Sequence, residues 1–97
     1  MKKWAFIYTL GDTSGSVRRG VAGSSACQLI AIGVPSVDTA PAIAARLVEE
    51  GVELIELCGA FGGAGSAAVI ASVGGRAPAG AVFYGCEAAG GLHRLFG

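Results

Sequence analysis

Apolar positions along this chain fall into short blocks separated by glycine, and the period within each block predicts its element. Trp4 to Leu10 is a brief aromatic and β-branched run that stops at Gly11, which predicts a strand. Gly11 to Ser25 contains Gly11, Gly15, Gly20 and Gly23. Each glycine costs a helix interior about 1 kcal/mol against alanine, so only a weak turn of helix, seated on Val17 and Val21, is expected there. Cys27 to Val34 is apolar at odd and even positions alike, the pattern of a strand covered on both faces. Pro35 to Thr39 then offers N-caps and Pro41 suits a first turn. The helix that follows gathers Val37, Ala40, Ala44, Leu47 and Val48 on one face, turns Arg46, Glu49 and Glu50 outward, and ends at Gly51.

A third strand, Val52 to Cys58, follows after that one glycine. Gly59 to Ser66 reads as a glycine-rich loop, Ala67 to Val73 as a helix of small residues, and Ala79 to Tyr84 as a fourth strand. Leu92, Leu95 and Phe96 make the closing tail amphipathic. Strands alternating with helices predict an α/β domain, residues 1–97, with four mainly parallel strands and right-handed crossovers. Two arrangements satisfy this order. A flavodoxin-like sheet would run 2-1-3-4 with helices on both faces, and a half-barrel would run 1-2-3-4.

Composition narrows the function classes. Of 97 residues, 53% are hydrophobic and 14% charged, against a usual charged share of about 25%, so the chain folds by burying most of itself. Seven basic and seven acidic residues leave no net charge to attract a phosphate backbone, and no nucleic-acid partner is expected. The first apolar run is too short for a secretory segment, and Ser24-Ser25-Ala26-Cys27 lacks the aliphatic residue of a lipoprotein cleavage site. No membrane association is expected. Cys27, Cys58 and Cys86 match no disulfide or zinc spacing, which predicts free thiols in a cytoplasmic protein, with no metal and no cofactor. A chain of this size with short, alanine-rich helices is expected to form a homo-oligomer.

In either arrangement the carboxyl ends of the strands share an edge, where parallel α/β proteins bind ligands. Three loops converge on it. Asp12, Thr13 and Ser14 follow the first strand and can orient a ligand or simply make a turn. Gly59, Gly62, Gly63, Gly65 and Ser66 follow the third, where backbone amides and a helix N-terminus suit a phosphate or carboxylate. Cys86 and Glu87 follow the fourth. Gly63 to Ala68 also fits Gly-x-Gly-x-x-Ala with Glu87 some way beyond, but a glycine-rich chain meets that spacing by chance and the loop follows the wrong strand for a dinucleotide fold.

Two residues carry the candidate catalytic chemistry. Glu56 interrupts an apolar strand on the same face as Leu54 and Cys58. Burial there would favour general acid or base work, while pairing with Arg76 or a subunit contact would make it structural. Cys58 ends that strand ahead of a helix N-terminus, a setting that favours a thiolate nucleophile, although cysteine is also a common core residue. His93, the one histidine, reaches Cys58 only if the tail folds back across the strand ends.

Trp4 to Tyr8, Ala31 to Pro35 and above all Leu47 to Gly62, with its Ile55-Glu56-Leu57-Cys58-Gly59 motif, resemble a family of small bacterial α/β proteins of about a hundred residues known as a domain of unknown function. The resemblance spans most of the chain. It implies a compact α/β domain and no named activity; the glycines between Gly11 and Ser25 depart from the more polar helix the family would place there. The reading that results is a protein binding a small anionic metabolite at the strand ends. Its alternatives are a lyase or isomerase using Glu56 and Cys58, or a structural oligomer subunit.

Overall fold

A computed structural model describes residues 1–97. Its strands are β1 (Lys3–Thr9), β2 (Arg18–Gly23), β3 (Gln28–Val34), β4 (Ile55–Leu57) and β5 (Ala79–Ala81), and its helices α1 (Ala40–Glu49), α2 (Gly62–Val73) and α3 (Ala89–Phe96). The strands form one mixed sheet in the order β2-β3-β1-β4-β5. β1 pairs in parallel with β3 on one side and β4 on the other, β4 pairs in parallel with β5, and β2 runs antiparallel to β3.

The four expected strands correspond to β1, β3, β4 and β5, the third shortened from Val52 to Cys58 to Ile55–Leu57 and the fourth from Ala79 to Tyr84 to Ala79–Ala81, and their order is 2-1-3-4. Sequential order, and with it the half-barrel, is excluded. Two corrections follow for the flavodoxin-like alternative. The sheet has five strands, and the Gly11 to Ser25 stretch supplies the fifth in place of a crossover helix. Gly23 takes φ +117°, and a Cβ there would overlap the Cys27 carbonyl, so this glycine closes the hairpin between β2 and β3. The turn is held by the Ser24 N–H donating to the Cys27 carbonyl at 2.9 Å.

Loss of that helix changes the layering. Ala5 and Ile7 of β1, Ile30, Ile32 and Val34 of β3, and Ile55 and Leu57 of β4 point to one face. There they meet Ile43 and Leu47 of α1 and Val69 and Val73 of α2 in a single buried cluster. Each fully buried Ile or Leu of this set contributes about 1.5–3 kcal/mol. Alternate residues, Trp4, Phe6 and Tyr8 on β1 with Leu29 and Ala31 on β3, face the side that carries no helix from the first crossover. The three aromatic residues are half-buried there. Phe6 and Tyr8 stack with centroids 6.5 Å apart, and Tyr8 lies over Gly33, where an added Cβ would sit 3.0 Å from the ring.

α1 forms where the apolar period places it, with Pro41 in its first turn. Gly51 follows at φ +98°, donating to the Val48 carbonyl at 3.0 Å, as the left-handed closing residue. α2 differs from expectation. It begins at Gly62, so Gly62, Gly63 and Gly65 belong to its first turns, and the glycine-rich loop reduces to a 3₁₀ turn, Gly59–Phe61. Small residues let this helix start at once and pack close: Gly65 sits against Phe61, where an added Cβ would be 3.4 Å from the ring-bearing carbon. No helix is long and apolar enough to cross a membrane.

Candidate cleft at the strand carboxyl ends

β1 and β4 end side by side because they pair in parallel, with the Cys58 N–H donating to the Ile7 carbonyl at 3.0 Å. This hydrogen bond fixes Cys58 as the last residue of the ladder. Thr9 closes β1 beside it, and Gly59 and Ala60 open the 3₁₀ turn. Beyond β5 the chain stays extended, then turns back through a 3₁₀ turn, Cys86–Ala88, into α3. The return brings Tyr84, Leu92, His93 and Phe96 against Thr9, Cys58, Gly59 and Ala60 around a cleft of about 770 Å³. That volume is in the range of small-molecule sites.

Inside the cleft, Tyr84 lies on Gly59. A Cβ at Gly59 would stand 3.1 Å from the Tyr84 ring, so the absence of a side chain at 59 sets how deep the tyrosine rests. Thr9, Cys58, Tyr84 and His93 supply hydrogen-bonding side chains, and Leu92, Phe96 and Ala60 supply apolar wall. Sequence reasoning selected Cys58 and Gly59 and named the fold-back of His93 as a condition. It did not select Thr9, Ala60, Tyr84, Leu92 or Phe96. For Leu92 and Phe96 the signal was the amphipathic spacing of the tail, which needs a surface to lie on; Thr9, Ala60 and Tyr84 carried none.

The other expected residues lie elsewhere. Glu56 is exposed, level with Phe6 and Gly80 on the sheet face opposite the main core. It borders a separate open groove of about 440 Å³ with Leu54, Pro78 and Val82. The burial that would fit it for acid or base work is absent because no helix covers that face. Arg76 is not its partner: the guanidinium donates to the carbonyls of Val73 and Ser72 at 2.9 and 3.2 Å, at the end of α2. Asp12 and Ser14 form a self-contained turn, in which Asp12 Oδ1 accepts from the Ser14 hydroxyl at 2.7 Å and from its N–H at 3.0 Å. Those bonds, the side-chain one foremost, hold the Asp12 carboxyl below the usual range. Thr13 is exposed in the same turn. Gly62 and Gly63 face open space, and the Ser66 hydroxyl is buried without a hydrogen-bond partner. Cys86 is exposed, and Glu87 borders a groove of about 480 Å³ with Arg94.

All three cysteines are free thiols, and nowhere do three or more His, Cys, Asp or Glu side chains gather as a metal site would require. A family model described as a family of unknown function, DUF6506, matches residues 2–97. No curated protein and no solved structure matches the chain.

Proposed function

The chain belongs to this family of unknown function, and we propose that it binds a small metabolite with an anionic head and an apolar body in the cleft where β1 and β4 end. One observation carries the reading: α3 returns across the strand ends, so that the only histidine lines the same cleft as Cys58. The 3₁₀ turn adds backbone, since the first N–H groups of such a turn, here Gly59 and Ala60, find no acceptor within it. His93 and these amides suit a carboxylate or phosphate oxygen. Tyr84, Leu92 and Phe96 suit a short aliphatic or aromatic body.

Thermal shift with a panel of small carboxylates and phosphates tests this, read alongside the alkylation rate of Cys58 followed by peptide mass mapping. At ten times its Kd a ligand adds about 1.4 kcal/mol, a rise of roughly 6 °C for a domain this small. The same ligand is expected to slow Cys58 alkylation, and His93→Ala to abolish both effects. A panel that moves neither melting temperature nor alkylation at millimolar concentration defeats the proposal.

An enzymatic reading draws on the same lining, with Cys58 as nucleophile and His93 as its base. Glu56 lies outside the cleft and has no part in it. Cys58→Ser separates the two readings: retained ligand binding favours a binding protein, while loss of a ligand-derived adduct on the thiol identifies the enzyme.

A further inference from the structure

We propose that the β5 edge and α3, with the mouth of the cleft that Tyr84 and Phe96 line between them, are where a second copy of this chain packs. The edges of the sheet are unlike. β2 carries Arg18 and Arg19, and such charges discourage another strand from adding to an edge. β5 has nothing of the kind: from Ala77 to Cys86 there is no charged residue. Val82, Phe83 and Tyr84 continue that edge at 40%, 89% and 53% exposure, with Leu95 and Phe96 of α3 at 75% and 82%. α3 has no buried residue, so its one-sided approach to the strand ends gives a helix of eight residues little packing.

Two areas indicate an occupant of this size. The chain exposes 5796 Å², whereas a globular protein of 9.6 kDa exposes about 5,100 Å², leaving a surplus of about 700 Å². The five apolar side chains present on the order of 600 Å² by themselves. Either figure is close to the roughly 800 Å² that each partner contributes to a standard interface. The open sheet face is a poorer candidate, since Trp4, Phe6 and Tyr8 are only partly exposed there and Phe6 and Tyr8 stack on one another.

Pairing in parallel strands leaves alternate backbone groups pointing outward. The Ile55 N–H donates to the Pro78 carbonyl and the Val82 N–H to the Leu57 carbonyl, so even-numbered residues of β5 face β4. The groups of Ala79, Ala81 and Phe83 face outward and are free to pair with an antiparallel copy about a two-fold axis. Charge also agrees. Arg76 precedes the uncharged segment and Glu87 follows it, so an antiparallel copy sets basic end against acidic end.

Light scattering on the full chain at micromolar concentration tests the interface, with circular dichroism confirming the fold of each variant. The wild type is expected at twice 9.6 kDa. Phe83→Lys and Leu95→Lys, both on exposed positions, are each expected to weaken dimerisation about thirtyfold or more. Val21→Lys on the opposite edge is expected to leave it unchanged. A wild type that scatters as a 9.6 kDa monomer overturns the proposal, as does a dimer that survives both substitutions.

Discussion

Gly33 shows how much of this fold turns on a missing methyl group. A Cβ there would lie 2.6 Å from the Leu10 side chain and 3.0 Å from the Tyr8 ring, so Gly33→Ala must displace the end of Leu10 and shift the tyrosine ring by a few tenths of an ångström. The expected cost is about 1–3 kcal/mol, measured by urea denaturation, and a change below the error of that measurement would show that the ring has room to move. Gly33 looked like an ordinary strand residue in the sequence because its function is to admit a ring from the neighbouring strand, and pairing partners are not written in a local pattern. Glu56 is the converse. Its alternation with Ile55 and Leu57 was legible, but the face it was expected to share with Cys58 was not, since Cys58 packs against the core and Glu56 lies on the other side of the sheet. Its exposure was not, since that depends on which elements cross above it. Cys58 was legible as a strand-end thiol, whereas Tyr84 came to the cleft only through the path of the tail.

Among elements, β2 is the one the sequence misread, and its tether explains how so exposed a strand stays in place. Arg19 donates to the Glu50 carboxylate at 2.9 and 3.3 Å, joining the edge strand to the end of α1. The guanidinium lowers the Glu50 pKa from an ordinary value near 4.5. A lowered folded-state pKa gives stability that is present above the unfolded value and is lost as pH falls through the folded one. Acidification from neutrality to below pH 4.5 is therefore expected to destabilise wild type more than Glu50→Gln. Both side chains are nearly half exposed, so the difference is small and shrinks with added salt; Glu50→Gln tracking wild type through that range would remove the tether from the account. Glycine content argued correctly against a stable helix in this stretch. Choosing strand required the hairpin partner, β3, whose outer edge would otherwise lie bare. α1 was legible nearly to its ends because its apolar period, Pro41 and Gly51 all agree; α2 lost its first turns to the glycines that hid them.

For the whole molecule, one buried layer between the sheet and the pair α1 and α2 holds the fold. Leu57 lies in it with no exposed surface. Leu57→Ala is expected to cost about 3 kcal/mol, a large share of the roughly 5–10 kcal/mol available to a domain of this size, and chemical denaturation measures it. A cost under 1 kcal/mol would mean that the layer closes over the gap. The parallel order of β1, β3 and β4 has one more consequence, which concerns synthesis. Of the five strands, β1 is synthesised first, and it is the middle strand of the finished sheet. Its second neighbour, Ile55 to Leu57, emerges some fifty residues later, so Trp4, Phe6, Ile7 and Tyr8 wait without their full pairing for much of translation. A nascent chain paused before residue 55 is thus the form most exposed to chaperone capture, and release should coincide with delivery of β4.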